Sequence, residues 1–249
     1  MKTLATYNIK GGVGKTATAV NLAYVAASRG DRVLVWDLDP QGAATFYFRV
    51  KQKVKGGGKA LVKGSGELAD AIKATDFDNL DVVPSDFSYR HFDLWLDDAK
   101  KPLARIRRAL KEIEDDYDWV FLDCAPSISL TSESVFRAAD ALIVPTIPTT
   151  LSFRTYEQLD RFIDDNPDMV RQIDVFGFFS MVDKHRRLHR KFMSDFRIDH
   201  PEILESIIPN SSDIERMGLE RQPVGVYGRN SRSAKAYEQL WLEILRRMG

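Results

Sequence analysis

Short, unbroken apolar runs recur along the chain, separated by longer stretches in which apolar residues fall three and four apart. The runs are KTLATYN (2–8), RVLVWDLD (32–39), LDVVPS (80–85), WVFLDCAPS (119–127), ALIVPT (141–146), VFGFFSMV (175–182) and the shorter SIIPN (206–210). They lack strict polar–apolar alternation, as expected of strands covered on both faces. Helical spacing falls between them, over 102–115, 129–139, 152–165 and 186–197. Residues 15–28 carry Ala, Val and Leu on most faces and stop before Arg29-Gly30, which predicts a buried helix. From Ser231 to Met248, residues Ala234, Tyr237, Leu240, Trp241, Ile244 and Leu245 predict a docked terminal helix. Strands alternating with helices predict an α/β fold: one domain with a mostly parallel twisted sheet and helices on both faces.

One stretch breaks this rhythm. Residues 51–66, KQKVKGGGKALVKGSG, hold five lysines and no acid. The expectation is an exposed, mobile basic insertion within a single domain spanning 1–249. Elsewhere, charge is balanced. Lys plus Arg and Asp plus Glu each number 36, so an anionic partner has to be argued from local clusters. The single cysteine, Cys124, excludes an internal disulfide framework and a multi-cysteine metal site, and is expected to be a small buried strand residue without a redox role. No run of about 18 apolar residues suggests a membrane span, and no signal-like segment opens the chain.

The first strand–helix junction carries the clearest chemistry. TYNIKGGVGKTATAV (6–20) ends a phosphate loop with Gly14, Lys15 and Thr16, but the first glycine of G-x-x-x-x-G-K-[ST] falls on Ile9. Instead Lys10 precedes Gly11 and Gly12. Amides at a helix start, with the helix dipole behind them, favour an anion. Glycines at 11, 12 and 14 let the backbone wrap a phosphate without Cβ clashes. Lys15 is expected to reach the β- and γ-phosphates, and the Thr16 hydroxyl to ligate Mg²⁺. Val13 and Ala17 complete the candidate nucleotide-binding segment. Asp123 ends an apolar strand, where a carboxylate is expected to hold Mg²⁺ directly or through water. Asp37 and Asp39 alternate along their strand and cannot both point the same way. One is suited to position an attacking water, the other to support the loop or the metal, with simple capping an alternative for Asp37.

KGGVGKT, DLDPQG and FLDCAPS, in this order and at these intervals, resemble the ParA/MinD group of deviant Walker A ATPases, which are P-loop NTPases. ADALIVPTIPT, IIPNSSDIERMG and QPVGVYGRNSRSAKAYEQLWLEI resemble the ParA branch in particular. The resemblance covers nearly all of the chain except the basic insertion. It implies ATP and Mg²⁺ as cofactors, slow and partner-stimulated hydrolysis to ADP and phosphate, and a homodimer in the ATP state. It also implies non-specific binding of double-stranded DNA and a ParB-like or cargo-adaptor partner. The process served would be partitioning or positioning of plasmid, chromosome or protein cargo by a cytoplasmic, nucleoid-associated protein. Lys10 matches the signature lysine that reaches across the dimer to the partner's nucleotide. Asp39 matches the water-positioning acid, Asp123 the Mg²⁺-associated carboxylate, and Pro209 and Asn210 the base contacts. Ala125-Pro126 stands where the family often has two prolines.

A DNA-binding face needs basic side chains for phosphates. The best cluster is DKHRRLHRK (183–191), with Lys184, Arg186, Arg187, Arg190 and Lys191; Arg216 lies in a second segment where the family carries basic contacts. A solvated helix face presents the same pattern, and the lysine-rich insertion is a second candidate surface. Two other functions compete. A MinD-like membrane-associated ATPase ends in a basic amphipathic tail, whereas here Trp241, Ile244 and Leu245 are expected to dock within the fold, so no membrane partner is expected. A nucleotide-gated switch with negligible turnover would share every motif, although Asp39 argues for hydrolysis. A dethiobiotin-synthetase-like ligase fits the KGGVGKT and DLDPQG pair poorly, and the nitrogenase iron protein needs more cysteines.

Overall fold

The computed structural model describes residues 1–63, 67–167 and 173–249. Eight strands form one sheet: β1 (Lys2–Thr6), β2 (Val33–Asp37), β3 (Lys73–Ala74), β4 (Leu80–Val83), β5 (Trp119–Asp123), β6 (Ala141–Thr146), β7 (Asp174–Val182) and β8 (Ile207–Pro209). Their order is β3-β4-β2-β5-β1-β6-β7-β8, parallel throughout except for the two-residue edge strand β3. The apolar runs are strands for the expected reason: they feed two cores at once. Ala5, Leu34, Trp36, Val120 and Leu122 face one core, while Leu4, Val33, Val35 and Phe121 face the other. Period-two geometry splits a continuous run between two apolar layers.

One layer consists mainly of the helices Lys15–Ser28 and Arg232–Met248. Trp241 is fully buried there, with its ring edge-on to Trp119 at 4.8 Å. Tyr237, Leu240 and Ile244 are buried beside it, so the terminal helix is docked as expected. The opposite layer carries Leu130–Ala138, Thr150–Asp165 and Arg187–Asp199, with shorter helices Gly57–Lys63, Phe92–Asp97 and Arg105–Lys111. Aromatic packing joins it: Phe153 stacks on Phe196 at 4.1 Å.

Two expectations need correction. The C-terminal letters of several apolar runs, among them 38–39 and 124–127, belong to loops rather than strands. Those residues leave the sheet to build the site described below. The basic stretch is also not a free loop. Val54, Leu61 and Val62 are buried in the core, and Gly57–Lys63 is helical against Phe92–Asp97. Three apolar residues outweighed the glycines around them, since burying each is worth about 1.5–3 kcal/mol. Residues 64–66 of that stretch lie outside the described residues.

Candidate functional site

Register brings three strand ends together. Thr6 of β1 and Asp37 of β2 both pair with Asp123 of β5. The phosphate-loop segment leaves β1 directly above them, and Gly12 and Gly14 adopt left-handed backbone angles, φ 70 and 96. At Gly14 space is limiting too: a Cβ would come within 3.0 Å of Ser180 Oγ. Gly14 then opens the helix Lys15–Ser28 without a side-chain cap, so the amides of its first turn remain available to a ligand.

Charged groups are buried around this point. Asp37 and Asp123 have no solvent exposure, and Lys15 has only 7 %. Burial pushes Asp123 well above the usual carboxylate range; neighbouring Asp37 adds to this, while the Thr16 hydroxyl and Lys15 pull the other way. Asp37 is raised to about 6, again mainly by burial and against its bonds to Thr45. Burial lowers the Lys15 ammonium, opposed chiefly by Asp123. A cation would relieve the carboxylates and an anion would suit Lys15.

Asp123 accepts a long hydrogen bond from Thr6 Oγ1 on Oδ1, at 3.3 Å, while its buried Oδ2 has no partner. That orphan oxygen fits a divalent cation. Among the described residues no group of three or more His, Cys, Asp or Glu is arranged to hold a metal alone. The fit is therefore to an ion that brings most of its own oxygen ligands, as Mg²⁺ does with water and phosphates.

Asp37 is engaged differently. Its Oδ2 accepts from both the amide and the hydroxyl of Thr45, at 2.8 and 2.7 Å, and Oδ1 accepts from the Asp39 amide at 3.3 Å. Both oxygens hold the loop between β2 and the helix Ala43–Tyr47. This is the supporting role weighed for Asp37, and it leaves the expected metal contact to Asp123 and Thr16. Thr45 Oγ1 in turn accepts from the Ser85 amide, and the Ser85 hydroxyl donates to the Asp39 carbonyl. Asp39 itself is partly exposed, with Oδ1 accepting from the Gln41 amide at 2.9 Å. That is the carboxylate's own bond; the Asp39 backbone is held by Asp37 at its amide and by Ser85 at its carbonyl.

Lys15 Nζ donates to the carbonyl of Lys10 at 3.2 Å. Lys10 turns away: its Nζ donates to Ser152 Oγ, at 3.1 Å, on the helix following β6. Sequence reasoning had no partner for Lys10 within its own chain, and Ser152, 142 residues away, carried no local signal. Thr6, Thr45 and Ser85 were missed for the same reason. Cys124 is buried, and burial pushes its thiol up, in keeping with a packing role.

The remaining candidates lie elsewhere. Pro209 is buried at the end of β8 and Asn210 is exposed beyond it, its amide bonded to Val182. Lys184, Arg186, Arg187 and Lys191 are exposed at the start of the helix Arg187–Asp199. Arg186 lies 3.5 Å from Asp183. Arg190 is occupied within its own loop, donating to the carbonyls of Lys184 and His185. Arg216 does not join this cluster; it pairs with Glu220 at 2.8 Å and covers the Tyr227 ring.

A glycine-rich loop opening a buried helix, beside a strand-end aspartate in a parallel sheet, defines a P-loop type nucleotide site. Comparison with known proteins agrees. Residues 1–173 match the AAA domain family. The chain is 28% identical to the sporulation initiation inhibitor protein Soj of Bacillus subtilis (strain 168), over 98% of both chains. It is 30% identical to the virulence plasmid ParA family protein pGP5-D of Chlamydia psittaci, covering 98% of this chain and 94% of that one. It superposes with TM-score 0.85 and 26% identity on cobyrinic acid a,c-diamide synthase from Mycobacterium smegmatis with bound ADP and magnesium, covering 100% and 95% of the two chains. The chain belongs to the AAA domain family and, within it, to the ParA/MinD group.

Proposed function

We propose that this protein binds ATP with Mg²⁺ at the tips of β1, β2 and β5, dimerises in that state, and hydrolyses ATP slowly to drive partitioning or positioning of a cargo. The observation that carries the reading is the unpartnered, buried Oδ2 of Asp123 beside Lys15 and the glycine loop. Lys15, Gly11, Gly12, Val13, Gly14, Thr16 and Ala17 would hold the phosphates, and Thr16 with Asp123 would hold Mg²⁺. Bound Mg²⁺ supplies charge neutralisation to the developing phosphate oxygens. Asp39, fixed through Ser85 and Asp37, orients the attacking water. Pro209 and Asn210 flank the base.

Dimerisation is supported by two features of the surface. Large apolar side chains stand exposed just beyond successive strands: Ile128 after β5, Leu151 after β6, Leu188 after β7 and Leu219 after β8. A monomer gains nothing by exposing large apolar side chains. Lys10 is directed out of its own phosphate loop, and in a two-fold dimer it becomes a charge donor to the partner's nucleotide. The exposed Lys184, Arg187 and Lys191 provide the phosphate contacts for double-stranded DNA, and a ParB-like or cargo-adaptor protein stimulates turnover. Among the described residues no helix is long and apolar enough to cross a membrane. The protein is expected in the cytoplasm, associated with the nucleoid.

The test compares two lysines. Lys15→Ala should lose ATP binding outright. Lys10→Ala should retain ATP but lose dimerisation, read by light scattering with ATP, or hydrolysis. Equal loss of ATP affinity in both would place Lys10 on its own subunit's nucleotide and sink the dimer reading.

A further inference from the structure

None of the residues assigned above to the nucleotide lies in the lysine-rich strap 51–63, yet the strap is tied to the loop that bears Asp39. Gln52 Nε2 donates to the Pro40 carbonyl at 2.8 Å. The Gln52 amide also packs on Gly42, where a Cβ would meet it at 2.7 Å and where φ is 68. Two residues on, the Val54 amide donates to Asp86 Oδ2 at 3.0 Å, and the Gly58 amide to Ser88 Oγ at 3.1 Å. The strap therefore runs across the tips of β2 and β4, beside the site. Val54 is buried while Lys51, Lys53, Lys55, Lys59 and Lys63 are all exposed. Of these only Lys63 has an ion pair among the described residues, with Asp98 at 2.9 Å. Next to the strap, Phe87 is 65 % exposed, with the Arg90 guanidinium over its ring at 4.1 Å.

We propose that residues 51–63 with Phe87 and Arg90 form a docking surface for an acidic protein segment carrying an apolar anchor, and that Gln52 passes its occupancy to the Asp39 loop. Four unpaired ammonium groups and an arginine call for carboxylates, and an exposed aromatic calls for an apolar residue among them. A duplex laid along the strap would bring an unbroken row of phosphates against the exposed Asp97, on the segment the strap packs against, whereas Asp98 is already paired with Lys63. A short acidic segment can engage the lysines and Phe87 while avoiding Asp97. Occupancy that steadies the strap steadies the Pro40 carbonyl through Gln52. Because Asp39 precedes Pro40, the water-positioning carboxylate is steadied with it. The coupling half rests on the Asp39 assignment proposed above.

The test uses the full chain, a short fluorescent Glu/Leu-rich peptide and a labelled DNA duplex. The peptide should bind the native protein and raise ATP turnover. Lys51→Ala, Lys53→Ala and Lys55→Ala together should weaken peptide binding by roughly tenfold, the sum of three exposed charge pairs, and leave duplex binding unchanged. Gln52→Ala should bind the peptide as the native chain does, with turnover no longer responding. Native peptide affinity in the triple variant overturns the surface. So does a loss confined to the duplex, or a loss of ATP-dependent dimers in that variant, which would make the strap a DNA face or a self-interface. Peptide binding without any change in native turnover, or an unaltered response in Gln52→Ala, overturns the coupling. Asp39→Ala measured without peptide separates the two claims: native turnover there overturns the site assignment, whatever the peptide does.

Discussion

The strand-tip site and the start of the helix Arg187–Asp199 both gather charge, but they hold it in opposite ways. At the strand tips Lys15, Asp37 and Asp123 are buried, each is shifted from its ordinary pKa, and loop bonds from Thr6, Thr45 and Ser85 surround them. At the helix start Lys184, Arg187 and Lys191 stand in solvent, and only Arg186 and Arg190 are tied locally. Buried charge costs several kcal/mol to desolvate and is retained where a ligand repays it. Exposed charge costs little, so it can serve long-range attraction without disturbing the fold. The first region is arranged around one ligand in one pose; the second, on the function proposed above, would meet a polyanion in many.

Substitutions in the two regions would break or sharpen this contrast. Lys15→Ala removes the cation facing the phosphates and should lower kcat/KM for ATP on the order of 10³-fold, measured by steady-state hydrolysis; Lys191→Ala should leave it within about twofold. On the role proposed for Asp39, Asp39→Ala would act on the water rather than on binding. Single-turnover hydrolysis should slow on the order of 10²-fold while the Kd for ATP stays within about threefold. Thr45→Val keeps the shape but leaves Asp37 and the Ser85 amide short of a buried partner. Denaturant unfolding should report a loss of about 1–3 kcal/mol, and a comparable loss from Lys184→Ala would erase the difference between the two regions. Replacing Lys184, Arg187 and Lys191 together should flatten the salt dependence of duplex binding by about 0.9 for each phosphate no longer neutralised, with stability changed by less than about 0.5 kcal/mol. Arg190→Ala is the sharper companion: it should cost about 1 kcal/mol of stability, because its guanidinium holds two loop carbonyls.

The exposed basic residues also show how far a linear pattern reaches. DKHRRLHRK presents five cations that look equivalent in sequence, and Arg216 looks like a sixth. Folding gave Arg190 to its own loop, Arg186 to Asp183 and Arg216 to Glu220. These partners lie only three to six residues away, so the acids and turns beside each cation, and not the cations alone, carry the information.

Much of the architecture was written locally. Apolar runs without alternation dictate strands covered on both faces, and the spacing of Tyr237, Trp241 and Ile244 dictates a docked terminal helix, because each pattern depends only on nearby residues. The phosphate loop was legible for the same reason: its glycines, Lys15 and Thr16 are contiguous and meet the ligand through one turn of backbone. What only the tertiary structure decided depends on long loops closing. Asp123 gained an orphan oxygen because register set it between Thr6 and Asp37. Asp37 became a loop support once Thr45 folded back onto it. Lys10 found Ser152 from the far side of β1, and Val54, Leu61 and Val62 turned a glycine-rich stretch into a strap fastened beside the site. The Thr6–Asp123 and Lys10–Ser152 pairings are short in space and long in sequence, 117 and 142 residues apart, so no local pattern encodes them. Even the nearer Asp37–Thr45 and Gln52–Pro40 pairings needed loops to fold back.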